Sequence, residues 1–320
     1  MALRLDPAVR AQMDRLTDAL GKTDAAPVGD VATRRVNGHR MFDFIAATSA
    51  PIHGVDTDKF TVPAGDGTAL SATWYRRSTG EPPGSAVLYL HGGGMIFSLD
   101  HLGPMYELAA RRYVSESGVP LLLVDYRVAP EHPHPTPVED CYAALEWLAA
   151  NGHMLGLDPD RIAVMGDSAG GGLAAGVCLM ARDRNGPAVA QQLLIYPMLD
   201  DRPAASAAAP LRHLTWTYDD NLTGWGALLG DDAGGEDVSA YAAPARATDL
   251  AGLPDTYIDV GDLDIFRDED IAYARRLSDA GVPTEFHLHP GCPHAFEALA
   301  DSADVSKRAI DDRIRRLLSL

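Results

Sequence analysis

From residue 86 onward the chain alternates short, nearly unbroken apolar runs with helical patterns, and this constrains its fold more than any other feature. The runs cover 86–90, 120–126, 161–165, 191–196, 255–260 and 283–289. Most are apolar almost throughout rather than at every second position, so they are expected to be buried on both faces, as in a parallel sheet with helices on its two sides. Between them Val138, Cys141, Tyr142, Leu145 and Leu148, and later Ile271, Ala274 and Leu277, recur at the helical period. Ahead of the alternation, 59–62 and 69–75 flank Gly65-Asp66-Gly67 and predict a hairpin. The fold class expected is α/β: a mostly parallel eight-stranded sheet with helices on both faces.

Two segments stand outside this rhythm. Asp6-Pro7 has the form of a helix cap followed by a first-position proline, and Val9, Met13, Leu16 and Leu20 follow at helical spacing, with no strand signal up to about Ile52. Residues 200–243 are rich in Ala, Asp and Gly, carry Trp216, Tyr218 and Trp225, and contain no convincing strand. Both are expected to form a cap over the carboxyl ends of the strands, where open α/β sheets place their ligands. The organisation is then 1–50 cap helices, 51–199 first part of the core, 200–243 cap insertion and 244–320 second part of the core.

The chain of 320 residues is 46% hydrophobic, enough for a substantial core. Its formal net charge of -18 argues against a nucleic-acid partner, which needs clustered Lys and Arg. The three cysteines show no Cys-x-x-Cys spacing, so neither a disulfide framework nor a zinc site is expected. The N-terminus lacks a signal-peptide core and no apolar run is long enough to span a bilayer, so a cytoplasmic protein without integral membrane association is expected.

Gly166-Asp167-Ser168-Ala169-Gly170 follows one apolar run and opens a small-residue helix. In that setting the serine is lifted out of the sheet on a strained turn, and flanking glycines let strand and helix approach closely, which makes Ser168 a candidate nucleophile. Upstream, His91-Gly92-Gly93-Gly94 follows another run; three glycines expose backbone amides suited to an anion formed during reaction, and no Gly-Lys-Ser/Thr follows to make a phosphate loop. His91 reads as a loop brace.

A serine hydroxyl needs a histidine to take its proton and a carboxylate to orient the imidazole, in the chain order serine, acid, histidine. His294 lies in a loop beyond the last apolar run and before the terminal helix. Asp262, Asp264 and Asp268 all follow the run 255–260, and spacing does not choose among them. The pairs His287/His289 and His132/His134 could suggest a metal, but no carboxylate or cysteine completes either pair in sequence, so no metal is expected.

His91-Gly92-Gly93-Gly94, the stretch Tyr126 to Glu131, the Ser168 motif, Asp264-Ile265-Phe266-Arg267-Asp268 and Pro293-His294-Ala295-Phe296 together resemble the hormone-sensitive-lipase-like esterases, bacterial family IV of the α/β-hydrolases. The resemblance runs from about residue 55 to the C-terminus, and the tail from Tyr241 looks most like the bacterial heroin-esterase branch. It implies a Ser168-His294-Asp264 triad, an oxyanion hole from the amides of Gly93, Gly94 and Ala169, a supporting role for Asp268 and a structural one for Tyr126 to Glu131. Ile265-Phe266 departs from the family's Pro-Leu, Ala295 from its usual glycine, and Met95 from its common aromatic residue. Met95, Phe97, Tyr196, Trp216 and Phe296 are candidates for the pocket wall. The expected activity is cofactor-free hydrolysis of short-acyl esters. Amide or N-acyl hydrolysis by the same groups and a non-catalytic ligand-binding protein are the alternatives. The expected partner is a small-molecule ester, and a homodimer is the assembly to test.

Overall fold

The computed structural model describes residues 4–21, 26–202 and 215–320. Strands β1 (Val55–Pro63) and β2 (Ala69–Arg77) form the expected hairpin, closed by Gly67 at φ 85° and by the Thr68 amide on Asp66 Oδ1 at 2.9 Å. The remaining strands are β3 (Ala86–Leu90), β4 (Leu121–Val124), β5 (Ile162–Asp167), β6 (Gln191–Ile195), β7 (Asp255–Gly261) and β8 (Thr284–His289). They make one eight-stranded sheet in the order β1-β2-β4-β3-β5-β6-β7-β8, antiparallel as far as β4 and parallel beyond it.

Helices α1 (Pro7–Leu20) and α2 (Val31–Thr48) precede the sheet, and α3 (Leu99–Ser117), α4 (Thr136–Ala150), α5 (Gly152–Leu155) and α6 (Ala169–Asp183) connect its strands. After β6 come α7 (Tyr218–Leu229), α8 (Arg267–Asp279), α9 (Phe296–Leu299) and α10 (Asp304–Leu317). Burial explains the unbroken apolar runs. Val87 and Tyr89 pack with Tyr113 of α3 and Ile310 of α10, while Leu88 and Leu90 pack with Leu145 of α4, Val177 of α6 and Leu277 of α8. Successive residues therefore enter two different cores.

The element ends differ from the sequence reading for local reasons. β4 is shorter than 120–126: Pro120 has no N–H for the ladder, and Tyr126 turns its hydroxyl onto His91 O at 2.6 Å. β5 starts after Arg161, which closes a 3₁₀ turn, and continues through Gly166 and Asp167, paired with Leu194 and Ile195. The chain reversal thus falls on Ser168 alone. On α8 the buried face is Asp270, Tyr273, Ala274 and Leu277, whereas Ile271 is exposed.

Asp6 caps α1 through bonds from the amides of Ala8 and Val9, and Val9 packs against Leu5, Leu263 and Phe296. From α2, Arg35 donates to Ile96 O at 2.7 Å and to both carboxylate oxygens of Glu131 at 2.7 Å. Arg34 pairs with Asp220 of α7 at 2.7 Å, and α7 itself opens with a Thr217/Asp220 capping box. Part of the segment 200–243 lies outside the described residues.

Candidate active site

Ser168 stands between β5 and α6 at φ 56°, ψ -121°, a conformation that costs a non-glycine residue on the order of 1–3 kcal/mol. Three backbone bonds hold it there: its amide on Ile195 O at 2.8 Å, and its carbonyl accepting from Gly172 at 3.0 Å and Met198 at 2.9 Å. A Cβ on Gly170 would lie 2.5 Å from His91 O and closer still to Leu90 O, so glycine there lets α6 seat against the end of β3.

The loop after β8 brings His294 Nε2 to 2.9 Å from Ser168 Oγ, and His294 Nδ1 lies 2.7 Å from Asp264 Oδ2. With Nδ1 facing a carboxylate, the proton belongs on Nδ1, leaving Nε2 to accept from the serine hydroxyl. Asp264 also accepts the Phe266 amide at 3.0 Å. Tyr196 and Phe266 meet the imidazole edge-on at 4.7 and 5.1 Å, and Thr215 donates to His294 O. Serine, histidine and acid are all buried. The other two acids are engaged elsewhere: Asp262 accepts the Gly291 amide at 2.7 Å, and Asp268 accepts from Arg267 at 2.7 Å.

The glycine loop is fixed by its own carbonyls. His91 is stacked on Tyr126 with centroids 4.1 Å apart, and its Nδ1 meets Gly92 O at 2.8 Å. Gly93 O accepts the amides of Ile96 at 3.0 Å and Phe97 at 3.1 Å. Because C=O and N–H of a trans peptide point opposite ways, these bonds turn the amides of Gly93 and Gly94 away from the loop. Among the described residues neither amide donates to a protein acceptor, and both glycines border the same cavity as Ser168. The Ala169 amide opens α6, where helix amides lack internal partners and carry the positive end of the dipole. Gly94 has φ 57° and lies against the Trp216 indole, which leaves no room for a side chain.

The cavity has a volume of about 1130 Å³ and is lined by Ser168, His294, Phe97, Tyr196 and Trp216 near the triad, and by Met13 of α1 and Met41 and Phe42 of α2. Met95 and Phe296, read from sequence as pocket wall, do not border it. Met95 is fully buried in the core with Leu88 and Leu90, and Phe296 packs beneath α1 with Val9. A residue next to a motif can point to either side of its loop.

Sequence reasoning assigned no role to several groups that meet here. Asp167 is buried beside Ser168 and accepts from Tyr89 at 3.0 Å and Tyr106 at 2.5 Å; burial pushes its carboxyl up to about 6 against the pull of those bonds. Behind His294, fully buried Arg313 bonds Asp259 at 2.7 and 2.9 Å and Glu297 at 2.6 Å, and Glu297 also accepts from Tyr196 at 2.6 Å. On the outer edge, ligand atoms of Glu285, His287 and Asp312 converge within 4.8 Å, so carboxylates do reach His287 through the fold. Arg315 already donates to both of those acids, which favours an ion-pair network over a cation site.

A family described as "alpha/beta hydrolase fold" matches residues 87–298. The chain belongs to this family. Esterase LipI of Mycobacterium tuberculosis is 38% identical over 220 residues, which are 67% of this chain and 66% of that protein. Carboxylic ester hydrolase LipN of the same organism is 31% identical over 309 residues, 91% of this chain and 77% of the relative. Among solved structures, a bacterial heroin esterase superposes with a TM-score of 0.88 at 35% identity, covering 98% of this chain and 97% of that one. Among the described residues no helix is long and apolar enough to cross a membrane.

Proposed function

We propose that the protein is a serine carboxylic-ester hydrolase that acts on short-acyl esters through an acyl-enzyme. The observation that carries this reading is the hydrogen-bond chain Ser168–His294–Asp264, opening onto a cavity bordered by two unoccupied loop amides. Ser168 Oγ attacks the ester carbonyl carbon as His294 Nε2 takes its proton, and Asp264 steadies the imidazolium. The tetrahedral oxygen lies on the amides of Gly93, Gly94 and Ala169, which need no reorganisation to receive it. His294 returns the proton to the leaving alcohol, and water repeats the sequence on the acyl-serine. No cofactor is required by these steps.

Residues 1–50 and 200–243 act as a cap in this reading, over a core made of 51–199 and 244–320. The cavity's border on α1 and α2 supports it, and so do the Arg35 bonds beside the glycine loop. A walled cavity suits a soluble short-acyl ester better than it suits a substrate held in a lipid surface. The test combines organophosphate labelling with a panel of p-nitrophenyl esters. Labelling at Ser168, abolished in Ser168→Ala together with a roughly 10⁶-fold loss of kcat, is expected. Ser168→Ala with more than about a hundredth of the wild-type rate refutes the mechanism, and a preference for emulsified long-chain esters refutes the short-acyl assignment.

A further inference from the structure

We propose that Tyr106 is a positioning residue for the oxyanion hole, a role that rests on the esterase reading above. The glycine loop offers three consecutive amides, and two of its residues, Gly93 and Gly94, line the cavity that holds Ser168. The third, that of Gly92, donates to Tyr106 Oη at 2.6 Å. Tyr106 in turn donates to Asp167 Oδ2 at 2.5 Å, while Tyr89 occupies Asp167 Oδ1 at 3.0 Å. The phenol is thus an acceptor toward the loop because its own proton is committed to a buried carboxylate, and each bond strengthens the other in a low-dielectric surround.

Two consequences follow for the reaction. First, the Gly92 amide is removed from competition for a developing anion, and the residue is held on both sides: its N–H on Tyr106, and its C=O, which shares a peptide with the Gly93 N–H, on His91 Nδ1. The neighbouring Gly93 peptide therefore loses the freedom that three glycines would otherwise give it. Second, Asp167 directly precedes Ser168, so the chain Gly92–Tyr106–Asp167 ties the loop that receives the oxyanion to the turn that carries the nucleophile. Packing around the clamp leaves little slack: a Cβ on Gly92 would lie 2.8 Å from both Tyr106 Oη and Asp167 Oδ2. Tyr106 borders the cavity, yet its hydroxyl is engaged by Gly92 and Asp167 rather than by Ser168 or His294, so it acts through the loop.

The test is Tyr106→Phe, which keeps the ring and removes the clamp. A loss of kcat/KM of roughly 10- to 100-fold on a p-nitrophenyl ester is expected, up to the scale of losing one oxyanion donor. KM should change little. Affinity for a trifluoromethyl ketone, whose hydrate-like adduct carries the oxyanion, should fall by the same factor, while affinity for the corresponding unreactive amide is retained. Retained kcat/KM, or equal losses for ketone and amide, overturns the proposal. The wild-type protein gives a second reading that does not depend on the variant folding. By amide hydrogen exchange, Gly92 should be protected with or without the ketone, and Gly93 and Gly94 only with it; protection of Gly92 that appears only with the ketone also overturns the proposal. If wild-type protein hydrolyses no ester and takes no organophosphate, it is the esterase reading that fails, and the role of Tyr106 with it.

Discussion

Replacing Asp264 by Asn gives the sharpest test of the acid assignment, because the change is nearly isosteric and the consequence is set by one contact. Asp264 Oδ2 lies 2.7 Å from His294 Nδ1, an acceptor facing a donor. An Asn amide turned to keep its oxygen on the Phe266 amide, where Asp264 accepts at 3.0 Å, would present N–H₂ to the imidazole. Two donors cannot share that line, so the ring shifts to the tautomer protonated on Nε2, the nitrogen 2.9 Å from Ser168 Oγ. The base is then blocked. A loss of roughly 10⁴-fold in kcat is expected, about 5 kcal/mol of transition-state stabilisation at 1.36 kcal/mol per factor of ten. Asp262→Asn is the companion, since an Asn oxygen can still accept the Gly291 amide that Asp262 holds at 2.7 Å. Its loss should be small against that of Asp264→Asn. Steady-state kinetics on a p-nitrophenyl ester, on variants whose melting matches wild type, decide the matter. A loss of less than about tenfold at Asp264, or a larger one at Asp262, refutes the tautomer argument.

Other expectations follow from the surrounding groups. Asp167 has a carboxyl raised from 3.8 to about 6, so the native state holds its proton more tightly than the unfolded chain; the penalty is absent below about pH 4 and complete above about pH 6. Denaturant unfolding should therefore show stability shifting toward Asp167→Asn, relative to wild type, by up to about 3 kcal/mol between pH 4 and pH 7, and a gap that does not vary with pH contradicts this. Arg313→Met strands the fully buried carboxylate of Asp259 and the partly buried one of Glu297 and should cost about 3–5 kcal/mol. A fall in Tm of roughly 5–7 °C is expected in a melting scan of a chain this long, and one below about 3 °C would show that the pair contributes little. Gly170→Ala drives a methyl into the carbonyls of Leu90 and His91, so soluble protein with full activity would refute the close seating of α6.

What could be read from sequence is what neighbouring residues decide. The strands were legible because residues such as Val87 and Leu88 are buried on opposite faces, so the run is apolar without gaps. Ser168 was legible because strand, turn and helix are contiguous there. Ile271 was misplaced for a physical reason: periodicity counts an aspartate as solvent-facing, yet Asp270 is fully buried and burial pushes its carboxyl well up, toward the neutral form. The choice among Asp262, Asp264 and Asp268 lay in the family resemblance rather than in spacing, because a stretch of seven residues does not carry the distance to His294 that sets them apart.

Tyr106 marks the limit most clearly. In sequence it is one apolar position among Leu102, Ala110 and Tyr113, and that helical spacing is satisfied by burial alone. Its hydroxyl acquires a role only because α3 lies over the end of β5 at a height that brings the phenol to both Asp167 and Gly92. A phenylalanine would satisfy the same periodicity and the same core. The hydroxyl is therefore informative for the opposite reason to the motif residues: packing alone does not require it, and its two short bonds both end on elements that flank the nucleophile.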